Sequence, residues 1–501
     1  MVHSASLAAR RMIHFYRSTG ATVQMVDDVR DDLDRFANGA RLSIELIADP
    51  SVFSTIHHEW NALVSSSSAS VFQSFDWLFP WWRHFGAADS RQLHILFFRL
   101  GTQLVGIAPF FSQLWPAGRG RSVCQLRMLG CGVPRRGTSY ELFAEYPPSD
   151  FLDVIAAKGF EEEVGVSVAA FLNRCSARFA EISLDNIPLD GILYTHVVPR
   201  LDRSLFHLRE IGPERCPQLI VPLSVQECIA AMKSGTRRKI QQARNAFSEG
   251  TFAFIESIET GEAFDEAFNR LMDLHQRRWT SLGFPGVFSD SRFREFQEEV
   301  ARRFMSNGWL WFKIARYNGE AIAARMSFRF NHRMYDYLSG FDHTMPGANR
   351  RPGLALLFSM LVDARRDDIN VVELLRGVES YKLELTSDLR YICDLKIRSR
   401  ELSAFPPVRI AFALQGVVKV IRSVHKEWRL LQVQYNVHGP LLFLITYVKF
   451  TMRRLRDTLS HIMDTARRSK THTGNDRTAT HERVASIKDA YPLIEQAVAN
   501  K

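Results

Sequence analysis

"LWFKIARYNGEAIAARMSF" (Leu310–Phe328) decides how the chain is read. Two apolar-rich runs flank Asn318-Gly319. That dipeptide accepts the positive φ angles of a tight turn, so the stretch predicts strand, turn, strand. The same arrangement occurs earlier, in "LHILFFRLGTQLVGIAPFF" (Leu93–Phe111). The two stretches align without a gap, with Arg99 on Arg316 and Val105 on Ile322. The segments after each hairpin repeat in the same order. "EEEVGVSVAAFLNRCS" then "FAEISLDNI" come after the first, and "GLALLFSMLVDARR" then "INVVELL" after the second; each pair reads as helix, then strand. Identical order in both parts predicts a duplicated α/β unit.

A chain of 501 residues exceeds one ordinary domain. The sequence divides into a polar, flexible segment (1–40), a first unit (41–205), a second unit (206–400) and a basic helical tail that is partly disordered (401–501). "RLSIELIADP" (41–50) reads as a strand and "SVFSTIHHEWNALVSSS" as one amphipathic helix. "FQSFDWLFPWWRHFG" (72–86) holds seven aromatics, read as a helix packed on a sheet or as a wall for a sugar or acyl group. The link to the second hairpin predicts three helices, at 224–250, 262–283 and 289–308.

The net charge of +10 is unevenly placed. Residues 401–501 carry 16 Lys/Arg against 8 Asp/Glu, which leaves only +2 for the first 400. An enzyme gripping a nucleic acid would carry its excess on the body, so DNA is excluded as a partner and tRNA is disfavoured. Six scattered cysteines without metal spacing indicate reduced thiols and no metal site. The first forty residues lack the apolar core of a secretory signal. These features place the protein in the cytoplasm. Within 401–465, Val408, Phe412, Val417, Val420, Ile421 and Val424 can share one face edged by Arg409, Lys419, Arg422 and Lys426. That face either lies on an anionic membrane surface or packs on the second unit.

Chemistry concentrates in "RRPGLALLFSMLVDARRDDINVVELLRGVESYKLEL" (Arg350–Leu385). Arg350, Gly353 and Ala355 fit Arg-x-x-Gly-x-Ala after the strand "MYDYLSGF" (334–341). Pro352 suits a first helical turn, where a missing N–H costs nothing. Gly353 removes a Cβ where an anion could approach the backbone, and the amides and dipole beyond it favour negative charge. The stretch is equally readable as an ordinary helix start.

The stretches "FQSFDWLFPWW", "RRKIQQARNAFSEG", "LHQRRW", "SGFDHTMPGANRRPGLAL" and "VELLRGVESYKLEL" together resemble the Gcn5-related N-acetyltransferase (GNAT) superfamily. The arrangement is most similar to its BioF2-like and CelD-like branch, relatives of the Fem aminoacyltransferases. The resemblance covers roughly residues 42–400. It implies two tandem GNAT-like domains, mixed sheets flanked by helices, with an acyl-CoA arm between two splayed strands. It also implies acetyl-CoA or another acyl-CoA as co-substrate, and a small-molecule or saccharide acceptor in cell-envelope or exopolysaccharide biosynthesis. Four positions, in three places, depart from the family pattern. Arg350-Arg351 replace Tyr-Ser, Glu373 stands for an aspartate, and Ser139 stands for an aspartate in the first unit.

Roles are assigned as expectations. Arg350, Arg351, Gly353 and Ala355 would hold the coenzyme. Lys382, on a strand, would stabilise oxyanion charge or be a surface lysine. Glu373 and Asp336 are strand carboxylates able to take a proton, or solvated residues. Tyr381, Arg237, Arg238 and His275 would contact the acceptor. The bland readings are core for Tyr381, a solvated face for the arginines, and helix packing for His275. Three functions stay open: acyl transfer from acyl-CoA to an amine or hydroxyl, Fem-like transfer from aminoacyl-tRNA, and a non-catalytic envelope assembly factor.

Overall fold

A computed structural model of the chain describes residues 41–87, 91–118, 121–134, 145–146, 148–222, 224–248, 252–281, 286–377 and 379–406, with Val29, Val408, Arg409 and Phe412 beside them. The expectations for 1–40, for Ser139 and for the tail beyond Phe412 lie outside these residues.

The first unit runs β1 (Ser43–Ile47), α1 (His57–Ser65), α2 (Phe75–Trp81), β2 (Arg91–Leu100), β3 (Gln103–Gly118), β4 (Arg121–Met128), α3 (Glu161–Arg174) and β5 (Glu181–Pro188). Strand β6 (Phe206–Ile220) comes next. The second unit runs α4 (Val225–Ala231), α5 (Ser234–Ser248), β7 (Ala253–Ser257), α6 (Gly261–Ser281), α7 (Ser291–Ser306), β8 (Leu310–Tyr317), β9 (Glu320–Phe330), β10 (Arg333–Phe341), α8 (Pro352–Arg366), β11 (Val371–Glu373), α9 (Ser380–Leu385) and β12 (Leu389–Ser399). The strands form one mixed sheet, ordered β1-β2-β3-β4-β5-β12-β6-β11-β10-β9-β8-β7. Each unit is an antiparallel meander followed by a crossover helix and a parallel strand, β4 to β5 through α3 and β10 to β11 through α8. Fold class is therefore as expected: α/β, with two GNAT-like halves in tandem.

The duplication extends to side chains. Arg99 lies between Glu45 on β1 (3.0 Å) and Glu59 on α1. Arg316 lies between Glu256 on β7 and Glu266 on α6 (3.1 Å). Each guanidinium also caps its own hairpin, on Thr102 O and Gly319 O respectively. Each arginine thus pins an edge strand and a helix onto the hairpin, which explains why the aligned arginines survive in both copies.

At the centre the two halves exchange strands. β6 follows the first unit in sequence but pairs with β11 of the second. β12 ends the second unit but pairs with β5 of the first. The two exchanged strands pair with each other antiparallel from Phe206–Ser399 to Pro217–Leu389.

Two expected helices are each broken in two. At 224–250 the chain leaves α4 at Met232, which turns extended and buries its side chain, before α5 restarts. Before α1, a one-turn helix (Pro50–Phe53) ends where Phe53 drops into the core. Of the tail's described residues, Val408 and Phe412 pack with Leu402 against Val123 and Ala180 of the first half. Arg398 lies over the Phe412 ring at 4.0 Å. All six cysteines are buried thiols.

The aromatic stretch on α2 is packing, and it packs across the halves. Trp77, fully buried, meets Phe296, Phe304, Phe328 and Tyr337 of the second half at centroid distances of 5.1–6.1 Å. Asp76 beneath it receives His57, Asn61, Arg303 and Asn307. Trp77→Ala should cost about 3–5 kcal/mol by cavity formation. Because the lost contacts span both halves, urea unfolding should remain one transition at a lower midpoint; two separated transitions would contradict a shared core.

Candidate active site

Strands β10 and β11 pair only at Arg333–Val371, Met334–Val372 and Tyr335–Glu373. Beyond these pairs β10 continues to Phe341, while the other chain parts from it. Leu374 N–H turns away to Pro217 O (2.9 Å), and Leu375 (φ 59°) and Gly377 (φ 107°) both take left-handed backbone. The result is a splay. One arm is β10 from Asp336 onward; the other is the segment Leu374–Lys382.

Alternation along β10 sorts its side chains. Met334 packs toward α8 with Leu357 and Met360, whereas Tyr335 and Tyr337 face the aromatic core on the other side. Asp336 therefore faces α8, where Ser327 Oγ donates to it at 3.4 Å and Arg325 Nε lies 3.6 Å away. Glu373, paired with Tyr335, faces the opposite side. It is fully buried, held by Arg333, with Arg390 at 3.7 Å. Burial raises its pKa against the pull of these two arginines. The two strand carboxylates thus do not meet.

Lys382 is not on a strand. "SYKLEL" forms the short helix α9, with Leu383 N–H donating to Glu379 O. Its alternating pattern looks like a strand, yet Lys382 and Leu385, three residues apart, are the two buried positions. That spacing is helical. Tyr381 consequently is not core but 42% exposed. Lys382 Nζ donates to Arg376 O (2.9 Å) and pairs with Glu379 (2.9 Å). Burial works to lower its pKa, but Tyr381, Glu379 and Asp336 more than offset this and hold it above the ordinary lysine value. The group is an ammonium donor at neutral pH, and Asp336 is close enough to act on its charge.

The helix start behaves only partly as expected. Arg351 takes left-handed backbone at φ 57°, Pro352 has no N–H, and Leu354 and Ala355 both donate to Arg351 O. Of the first-turn amides this leaves Gly353 without a hydrogen-bond partner among the described residues. A Cβ at Gly353 would meet nothing within 4 Å, so the space above it is open. Arg350 lies over the Tyr317 ring at 5.1 Å, and Arg351 donates to Gln242 (2.7 Å) on α5. Ala355 is a correction: 1% exposed, it packs into the core and lets α8 approach the sheet.

The remaining candidates scatter. Arg237 caps α4 through Ala230 O (2.7 Å), Lys239 pairs with Glu384 (3.4 Å), and Arg238 is exposed on α5. His275 is buried on α6, against Phe288 at 5.2 Å and Trp279 at 6.0 Å. Sequence reasoning missed Arg325 and Arg376, because neither lies in a spacing that marks it; only the "RG" of Arg376-Gly377 hinted at a turn.

The equivalent place in the first half is closed. β4 and β5 likewise pair over only three residues, Gln125–Arg127 with Glu181–Ser183. Beyond these, Leu152 N–H donates to Asn186 O (3.2 Å), Asn186 donates to Ser149 O (3.1 Å), and Arg127 pairs with Asp185 (2.7 Å). Helix α3, the counterpart of α8, opens on Glu161, Glu162 and Glu163 instead of arginines and glycine. A groove of about 690 Å³ at the start of this helix is lined by Arg41, these three glutamates, Ser167 and His196. Among the described residues no His/Cys/Asp/Glu group could hold a metal, and no helix is long and apolar enough to cross a membrane.

Residues 234–383, from α5 through Lys382, match the family model described as an acetyltransferase (GNAT) domain. The second half carries a GNAT-type domain. No curated protein matches the chain. Among solved structures, the crystal structure of FemX is similar at 10% identity and TM-score 0.49, covering 68% of this chain and 95% of that one. The C-terminal domain of a putative lysylphosphatidylglycerol synthetase from Agrobacterium fabrum gives 11%, 0.42, 72% and 96%. A tandem GNAT protein from the clavulanic acid biosynthesis pathway gives 9%, 0.36, 71% and 98%.

One arm of the GNAT-type splay depends on a bare backbone. A Cβ at Gly340 would meet Leu271 O at 2.8 Å and His275 N at 2.9 Å, both main-chain atoms of α6 that cannot swing aside. Gly340→Ala should therefore destabilise by about 1–3 kcal/mol, as overpacking does. An unaltered urea midpoint would show that α6 does not press on this strand.

Proposed function

We propose that the second half transfers an acyl group from acyl-CoA to an amine or hydroxyl of a small-molecule or saccharide acceptor, in the splay between β10 and Leu374–Lys382. The observation that carries this reading is the asymmetry of the two halves. They share one topology, but only the second joins a strand pair that parts after three residues to a basic, glycine-containing helix start.

The residues take roles by position. Arg350, Arg351 and the Gly353 N–H bind the diphosphate, aided by the dipole of α8. The pantetheine arm enters the splay, where the edge of β10 beyond Tyr335 offers main-chain groups to its amides. The acceptor attacks the thioester carbonyl carbon. Lys382 donates to the oxyanion that develops there. Asp336 takes the proton that the acceptor loses, and collapse of the adduct breaks the C–S bond and releases CoA thiolate, which is protonated by water. The thioester is already activated, so no covalent enzyme intermediate is needed. Glu373 is assigned to structure, since two arginines hold it on the far face. Tyr381, half exposed beside Lys382, borders the acceptor. An envelope or exopolysaccharide acceptor belongs to this proposal through the resemblance alone. Aminoacyl-tRNA is the control donor in the same assay; turnover with it in place of acyl-CoA would favour the Fem-like reading.

Two variants test the assignment. Gly353→Val places a side chain in open space, so the fold should persist while coenzyme A affinity falls roughly tenfold or more, about 1.4 kcal/mol. Unchanged calorimetric affinity in a folded variant would remove the diphosphate from α8.

Lys382→Ala should lower kcat by about 10²–10³, as loss of one oxyanion donor does, and leave the acyl-CoA KM nearly unchanged. Because the Lys382 pKa is raised, the parent should hold its ammonium up to about pH 10, the ordinary lysine value. Its kcat should then show no alkaline fall below that point that Lys382→Ala abolishes. A parental rate in the variant rejects the role.

A further inference from the structure

The first half contributes a loop to the second half's opening. Pro148–Phe151 touches both arms of the splay. On β10, Tyr337 donates its hydroxyl to Pro148 O at 2.8 Å. On the other arm Arg376 is held by four contacts. Its Nε lies 2.7 Å from Asp150 Oδ1, Nη1 donates to Asn186 Oδ1 at 3.0 Å, and Nη2 donates to Ser149 O at 3.3 Å. Its backbone N–H donates to Asp150 Oδ2 at 3.3 Å. The carbonyl of the same residue accepts Lys382 Nζ at 2.9 Å. Between Lys382 and a carboxylate of the first half there is thus one residue.

The backbone there needs such support. Arg376 lies past the end of β11, between Leu375 at φ 59° and Gly377 at φ 107°, so no ladder fixes its peptide. Its side chain does so, gripping a loop that is itself buried: Ser149 is 0% and Asp150 5% exposed. A buried, charge-assisted contact of this kind holds direction as well as position. The Lys382 ammonium, buried and bonded to Arg376 O and Glu379, points where those two acceptors aim it.

We propose that Arg376 is a positioning residue which, anchored on Asp150 of the first half, aims the Lys382 ammonium into the splay. The closed first half is then a brace for the open one and binds no reactant itself. The consequence for catalysis rests on the acyl-transfer reading above; the consequence for Lys382 does not.

Asp150→Asn keeps the shape and removes the charge. Two readouts separate the brace from the function. The first is the rate at which acetic anhydride acetylates Lys382 Nζ, followed by mass spectrometry with exposed Lys239 as internal standard. It should rise severalfold in the variant, and an unchanged ratio overturns the proposal. The second is kinetic. The kcat for acyl transfer should fall roughly ten- to hundredfold, the effect of a misplaced group. The acyl-CoA KM should hold, because the helix start of α8 is untouched. In a Lys382→Ala background the same substitution should do almost nothing; an equal loss there overturns action through Lys382. If Asp150→Asn melts below the assay temperature, Arg376→Lys is read in the same two ways. Faster labelling in a protein that turns over no acyl-CoA would support the brace and discard the acyl-transfer reading.

Discussion

The ladder between β6 and β12 is the constraint on which the rest depends. Without it the sheet would end at β12 on one side and β6 on the other, leaving two unpaired interior edges. Exchange of the two strands removes both edges at once. It also commits each half to the other, since each completes its sheet with a strand from across the chain midpoint. The buried aromatics of α2 then seal the same junction on one face. An interface of this kind resembles a domain core more than a docking surface.

Commitment of this kind lets duplicated units diverge. In both halves the parallel pair stops after three residues. In the first half the gap is filled by Ser149–Val154 and by the Arg127–Asp185 pair, and the helix above it opens on three glutamates. Negative side chains at a helix N-terminus stabilise the helix and repel a diphosphate. In the second half the corresponding turn holds Arg350, Arg351 and Gly353.

Much of this was legible in the residues. The hairpin repeat, with Arg99 over Arg316, exposed the duplication because a tight turn and its flanking alternation leave a strong local pattern. The α8 start was legible for the same reason. Strand exchange was not, because it depends on which of two equivalent edges a strand joins, and both edges ask for the same alternation. "SYKLEL" was misread because six residues satisfy a period of two and a period of 3.6 almost equally well; burial of Lys382 with Leu385 decides it. Asp336 and Lys382 were found as residue types, but their shared face was not readable, and neither was the separation of Asp336 from Glu373. The contacts of Arg376 with Asp150 and Asn186 join positions far apart in sequence, which no local signal can report.

The polar row under α8 is what would give the proposed Lys382 donor its strength. Lys313 reaches Ser359 and Asp363 on α8, Arg325 is its cross-strand partner, and Asp336 and Ser327 lie further along the sheet. Arg325 is 7% exposed, and its Nε and Nη1 have no hydrogen-bond partner among the described residues. Burying such groups costs about 1–3 kcal/mol each when they go unpaired. That cost is met by the apolar clusters on either side, which pack Leu357, Met360 and Leu361 at one end and Ala315, Ala323 and Ala355 at the other. The same dryness strengthens every charge within it, because an ion's field is screened far less in a protein interior than in water. A single ammonium in that row can therefore act on a carbonyl with a force it would lack on the surface, provided its direction is fixed. Fixing it requires a support outside the second half's own sheet, and the first half is the part of the molecule that reaches the splay from there.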